Sequence, residues 1–148
     1  MYEGEAWHGP SVMDALRGIT ADQARLRPVP NAHSIYELTH HMAAWIGEAR
    51  SRLLGSRAKE PSEGDFPRKT ATVDEASWRA VRDRLAAAHT ALLDDLSRFD
   101  AGRLDERLDP SLPDAGGRVT SYILLQGVAQ HNAYHAGQIL VLRRAMGA

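Results

Sequence analysis

The chain has no cysteine and few aromatic residues, which make up 6% of its 148 positions. Without cysteine, disulfides and thiolate metal sites are excluded, so a metal site would have to use histidine, carboxylate or amide groups. No apolar run approaches the roughly 20 residues that a membrane-spanning helix needs. The acidic start, residues 1–5, lacks the apolar core of a signal peptide. We therefore expect a cytoplasmic protein that does not bind a membrane.

An excess of charge of one sign is also absent. Lys and Arg number 18 against 19 Asp and Glu, and no basic run stands out. Proteins that bind nucleic acid usually carry a basic patch or stripe, so no nucleic-acid partner is expected. The length and the 43% apolar content are those of an ordinary globular chain, and we assign residues 1–148 to one domain.

Apolar residues recur at helical spacing, and no segment shows the alternation typical of a strand. The predicted helices cover about residues 10–17, 21–26, 33–55, 72–99 and 120–146, with a further turn within 101–108. Thr20 to Gln23 and Thr72 to Glu75 have the form of capping boxes. Either Ser34 or Asn31 is suited to cap the long helix that starts near residue 33. Together these features predict an all-α four-helix bundle, in which the polar loop 57–70 is long enough for a crossover.

Two histidines near the C-terminus, His131 and His135, are four residues apart on the last predicted helix. Such positions differ by about 40° around a helix, so both side chains leave the same face. That face is apolar on either side of a polar centre: Leu124, Val128, His131, His135, Gln138 and Leu142. Polar groups in a packing face need partners, which can be a metal ion, water or a hydrogen-bond network.

A third histidine comes from the long helix that begins near residue 33. His40 and His41 are adjacent and point about 100° apart. His41 shares a stripe with Leu38 and Met42, so it is expected to face the core, with His40 at its margin as the alternative ligand. Three imidazoles form the protein part of a catalytic-type divalent metal site. The residues alone do not choose among zinc, nickel, iron and manganese, or between a metal site and a polar cluster.

Three nearby side chains each have two interpretations. Gln138 could hold a bound water or a substrate, or make an interhelical hydrogen bond. Glu37 could act as a general base or orient an imidazole, or lie on the surface as a solvated carboxylate. Tyr134 could donate a proton to a metal-bound oxygen, or pack at the bundle seam with its hydroxyl at the rim.

The sequence resembles the DinB/YfiT-like family of metal-dependent proteins over nearly its whole length. The resemblance is carried by His33-Ser34-Ile35-Tyr36-Glu37-Leu38-Thr39-His40-His41 with Trp45, by His131-Asn132-Ala133-Tyr134-His135-Ala136-Gly137-Gln138-Ile139, and more loosely by Trp7-His8-Gly9-Pro10-Ser11 and Asp65-Phe66-Pro67. It implies a four-helix bundle, often homodimeric, that holds a divalent ion. On the matching positions the ligands are His41, His131 and His135.

Relatives of this kind include transferases and isomerases that use a low-molecular-weight thiol such as mycothiol or bacillithiol. The resemblance therefore implies an S-transferase-like enzyme that acts on a small molecule with zinc or nickel, or with iron or manganese. One alternative is a hydrolase in which metal-bound water attacks and Glu37 or Gln138 positions it. Another is a stress-related, non-catalytic binding bundle whose metal is structural.

Overall fold

The computed structural model describes residues 2–5, 7, 9–67, 72–108 and 118–147. Over these residues the chain is helical with no β-strand, and an isolated bridge joins Arg107 and Thr120. The elements are α1 (Val12–Leu16), α2 (Ala21–Arg25), α3 (Ile35–Leu53), α4 (Glu75–Ser97), a 3-10 turn (Ala101–Arg103) and α5 (Ser121–Ala145). The predicted all-α class is confirmed. The end of the predicted loop, residues 68–70, lies outside the described residues.

Side-chain caps explain why most helices begin where the sequence predicts. At α3 the Ser34 hydroxyl accepts the Glu37 backbone N–H at 3.3 Å, and a Glu37 oxygen accepts the Ser34 N–H at 2.9 Å. This reciprocal pair satisfies two backbone donors that the first turn of a helix leaves free. Thr20 and Gln23 form the predicted box at α2 in the same way. Ser34 rather than Asn31 is therefore the cap of α3.

The capping box predicted at Thr72 to Glu75 is wrong. Asp74 is the N-cap of α4, and its carboxylate accepts the Ser77 N–H at 2.8 Å. Glu75 instead accepts the backbone N–H of Ala21 at 3.0 Å, across to the start of α2. The Glu75 carboxylate, which the local pattern assigns to a helix cap, is thus used in a contact between two helices.

The bundle is built around α3, which packs against α4 on one side and α5 on the other. The short α1 lies against α5, and α2 contacts α3 and α4. The largest fully buried side chains come from all three long helices and include Trp78, Ile35, Met42, Ile46, Leu85 and Ile139. The Trp78 indole N–H donates to the Ile19 carbonyl at 2.7 Å, so the segment between α1 and α2 is fixed over the core.

The packing of α3 on α5 brings the predicted histidine faces together. His41 and His135 are each only 5% exposed on these facing helices. The loop after α3 returns to the same place, because Asp65 and Phe66 contact the His41 ring. None of the described helices combines the length and the apolar character that crossing a membrane requires.

Candidate metal centre

Three imidazole rings converge where α3 meets α5. The Nε2 atom of His131 lies 2.8 Å from Nε2 of His41 and 3.1 Å from Nε2 of His135. One ring nitrogen from each histidine lies within 4.8 Å of the others. The predicted pairing of one histidine on α3 with two on α5 therefore exists in the fold.

His41 is oriented by the loop that follows α3. Its Nδ1–H donates to the backbone carbonyl of Asp65 at 2.7 Å, and the Asp65 carboxylate lies 3.3 Å from the same nitrogen. The carboxylate also accepts the indole N–H of Trp45 at 2.8 Å. With the proton held on Nδ1, the Nε2 lone pair of His41 points towards the other two rings. Partners of this kind fix the tautomer of metal-binding histidines.

Phe66 fixes the plane of the same ring. Its own ring is stacked on His41, with centroids 4.2 Å apart and planes 8° apart. His33 stacks on Phe66 at 3.6 Å and 3°. The three stacked rings hold the loop against the start of α3 and restrict rotation of the His41 side chain.

His135 is oriented by a residue of its own helix. Its Nδ1–H donates to the Gln138 side-chain oxygen at 2.7 Å. The Gln138 amide N–H in turn donates to the Tyr134 hydroxyl at 3.1 Å. Two of the three rings thus have Nδ1 tied to an acceptor and Nε2 free to bind a cation.

The environment of His131 and His135 favours the neutral form of both rings. Burial, together with the adjacent His135 and His41 rings, lowers the pKa of His131 to about 4. Burial also lowers the pKa of His135, although Gln138 opposes this by stabilising the charged form. Neutral imidazole is the form that binds metal.

A divalent transition metal fits this group of donors. If His131 carries its proton on Nε2, it can satisfy the lone pair of only one neighbouring ring at a time, whereas a central cation satisfies all three. Metal–nitrogen bonds of about 2.0–2.1 Å place ligand nitrogens about 2.8–3.4 Å apart for angles between 90° and tetrahedral. The separations of 2.8 and 3.1 Å lie at the lower end of that range. His41, His131 and His135 are therefore the residues that would hold the ion.

A family model described as the DinB superfamily matches residues 8–139. This chain belongs to the DinB superfamily. Members of that superfamily are known for metal binding, in agreement with the three-histidine cluster. No curated protein sequence gives a significant match.

The fold of this DinB-superfamily chain also matches a solved structure, that of a conserved protein of Enterococcus faecalis. The two align with a TM-score of 0.72 at 21% identity, over 93% of this chain and 89% of the other. At this identity the match supports the shared helical architecture alone.

His40 lies apart from the cluster in this DinB fold. Its Nε2 atom is 3.0 Å from a Glu63 carboxylate oxygen and 3.1 Å from an Arg84 guanidinium nitrogen, and Glu63 accepts from Arg84 at 2.6 Å. Burial and the nearby Arg84 charge lower the pKa of His40. Its contacts tie the loop to α4, and the predicted core-facing position of His41 is confirmed.

Glu37 lies at the start of α3 among groups outside the histidine cluster. One oxygen accepts the Ser34 N–H and lies 3.5 Å from His33 Nδ1, and the other accepts from Arg27. The side chain is buried, so the expectation of a solvated surface carboxylate is wrong. Its position in a Ser-x-x-Glu pattern was the local signal for this capping role. The general-base role stays a prediction.

Asp65 and Phe66 belong to the site, although no pattern in the sequence predicts a role for them there. They contact His41 from 24 and 25 positions further along the chain. The available signal was an apolar residue inside an otherwise polar loop. Which ring it would contact depends on how the loop folds back.

The three rings form part of an open cleft of about 560 Å³. Its other walls come from the loop and from both helices: His33, Trp45, Asp65, Phe66, Tyr134 and Gln138. Tyr134 is 64% exposed at the rim, with its hydroxyl bound to Gln138. The volume lies in the range of about 300–1,000 Å³ typical of small-molecule pockets.

Proposed function

We propose that this DinB-superfamily protein is an enzyme that holds one divalent transition metal on His41, His131 and His135. The observation that carries the proposal is the convergence of three Nε2 atoms while two of the rings have their Nδ1 atoms bound to acceptors. Preorganised lone pairs of this kind reduce the reorganisation needed for binding. An all-imidazole set suits zinc and nickel ahead of iron and manganese, which more often have carboxylate ligands.

A catalytic role is favoured over a structural one by the number of ligands. Structural zinc sites usually have four protein ligands, whereas catalytic sites have three and an open position. Among the described residues, the grouped donors are three histidines. Their rings also border the open cleft, from which a small molecule can approach.

For the reaction we propose thiol transfer, with a low-molecular-weight thiol of the mycothiol or bacillithiol type as cosubstrate. When bound, a divalent ion supplies positive charge that stabilises a thiolate or lowers the pKa of water. Trp45 and Phe66 offer flat apolar walls for the organic part of a substrate. We assign to Tyr134 the role of holding or donating a proton at its hydroxyl, which is hydrogen-bonded to Gln138, the residue that also accepts from His135.

The metal assignment is tested by measuring the metal content of protein purified without a histidine tag. We expect about one equivalent in the wild type and its loss in His41→Ala, His131→Ala and His135→Ala. His40→Ala is the matched control and should keep the metal, since its contacts are with Glu63 and Arg84. Full metal content in all three cluster variants would overturn the assignment.

The reaction is tested on metal-loaded protein with electrophilic substrates, in the presence and absence of added thiol. Turnover that requires the thiol supports the transferase. Turnover without it would support the hydrolase. The structural-metal alternative would be favoured by a protein that shows neither activity and unfolds as the metal is removed.

We also propose a homodimer that uses the outer face of α5. Positions 121–142 of this helix carry no charged side chain, and Ile123, Tyr134 and Val141 are each at least half exposed. Exposed apolar faces of this kind often mark interfaces. Light scattering should give the mass of a dimer for the wild type and of a monomer for Val141→Arg. An unchanged mass would place any interface elsewhere.

A further inference from the structure

A second cleft lies between α3 and α5, next to the histidine cluster. It has a volume of about 250 Å³ and runs from His131 and Trp45 towards Arg52 and Val119. Most of its wall is aliphatic, with Ile46, Ala49, Ile123, Leu124 and Val128 on the two helices. It shares Trp45 and His131 with the metal-site cleft and so leads away from the centre along the bundle.

At the far end of this apolar cleft lies Arg52, which has hydrogen-bond donors without acceptors. Nε and Nη2 of Arg52 are buried and have no hydrogen-bond partner in the described structure. These two atoms lie on one edge of the guanidinium, where their N–H groups are parallel donors matched to the two oxygens of a carboxylate. Buried donors without acceptors are costly, so an acceptor that reaches this edge from the cleft would lower the free energy of the folded protein.

Glu48 is the acidic residue best placed by sequence to pair with Arg52, because it lies one helical turn earlier. It is buried and also borders the cleft. Its Oε1 atom, however, accepts the backbone N–H of Lys59 at 3.3 Å. Among the ion pairs of the described residues within 4 Å there is none between Glu48 and Arg52. Among the described residues the guanidinium edge thus has no acceptor, and a ligand in the cleft can supply one.

We propose that this cleft binds a small carboxylate with an unbranched apolar chain, with the carboxylate on Arg52 and the chain directed towards His131. Trp45 and Arg52 are seven residues apart on α3, which corresponds to about 10 Å along the helix. A medium-length acyl chain spans that distance. The assignment of this ligand as a substrate rests on the proposed function, whereas its binding does not.

Octanoate and 1-octanol are the probes for this site, because they share an alkyl chain and differ in the head group. Binding to chelator-treated, metal-free protein is followed by tryptophan fluorescence, since Trp45 lines the cleft, and is checked by calorimetry. We expect octanoate to bind at least about tenfold more tightly than 1-octanol to the wild type. Arg52→Gln should lose that preference, while Arg79→Gln, an exposed arginine on α4, should retain it.

Equal affinity of the wild type for the two probes would overturn the proposal without any substitution. An unchanged preference in folded Arg52→Gln would also overturn it, and circular dichroism verifies that the variant is folded. Metal uptake by the same preparation, measured after zinc or nickel is added back, separates the two proposals. Arg52-dependent octanoate binding by a protein that takes up no metal supports this inference and removes the proposed enzyme. Metal uptake without a preference for octanoate over 1-octanol supports the proposed metal site and overturns this inference.

Discussion

Replacing Gln138 with leucine removes the acceptor of the His135 Nδ1–H hydrogen bond while keeping a side chain of similar size. In the present structure that bond is 2.7 Å long and leaves Nε2 of His135 free to face His131. Without the acceptor, the proton can move to Nε2 and the ring can rotate. Both changes reduce the fraction of protein that is ready to bind a metal ion.

The magnitude follows from the role of such outer partners. Loss of a hydrogen bond that orients a metal-bound histidine typically weakens metal binding about 10–100-fold, or about 1.4–2.8 kcal/mol. We expect this loss for Gln138→Leu. Asp65→Ala should have a smaller effect, because His41 donates mainly to the Asp65 backbone carbonyl, which that substitution keeps.

The assay is competition for zinc against a chromophoric chelator at fixed pH. Gln126→Leu, at an exposed position of α5, is the matched control and should bind zinc as the wild type does. Wild-type affinity in Gln138→Leu, measured together with a clear loss in His135→Ala, would refute the orienting role of Gln138. A loss in Gln126→Leu as large as in Gln138→Leu would refute it too, since the effect would then not be specific to the bond.

Three further predictions concern stability. In urea unfolding of the metal-free protein, the free energy of unfolding should be highest above pH 6.5 and should fall as the pH is lowered towards 4. The reason is that histidine in the unfolded chain takes up a proton near pH 6.5, while His131 in the folded protein stays neutral down to about pH 4. In His131→Leu the free energy of unfolding should depend less on pH. Ile139→Ala should lower the free energy of unfolding by about 2–5 kcal/mol in the same assay, because Ile139 is fully buried and the change leaves a cavity. Glu37→Gln should lower it by about 1–2 kcal/mol and leave metal content at one equivalent, since its contacts are with Ser34 and Arg27; loss of metal in that variant would instead place Glu37 in the site.

Much of the fold could be predicted because its signals are local. Helical periodicity and caps such as Ser34 at α3 located each helix to within a few residues. A cap needs only residues three or four apart, so it can be recognised without knowing the fold. The wrong capping box at Thr72 shows the limit of such a pattern. At that position the Glu75 carboxylate instead accepts a hydrogen bond from the backbone N–H of Ala21, which is distant in sequence.

The candidate site also has a part that local sequence spacing predicts and a part that it does not. The i, i+4 spacing of His131 and His135 fixed a shared face, and the phase of α3 fixed which of two adjacent histidines points inward. Helical spacing does not predict the loop residues that contact His41. Asp65 and Phe66 reach His41 only because a polar loop folds back over α3, and periodicity carries no information about that path.

The sequence by itself determined that this protein is helical and that three histidines lie on packing faces, because both properties follow from residues a few positions apart. Only the tertiary structure decided that those faces meet, with Nε2 of His131 about 3 Å from Nε2 of His41 and of His135. It also decided that the Asp65 backbone and Gln138 orient two of the rings. A cleft beside them reaches Arg52, whose Nε and Nη2 atoms have no hydrogen-bond partner within the described part of the chain. Contacts between residues some 90 positions apart depend on how whole helices pack, and packing is the sum of many weak interactions that no short motif specifies.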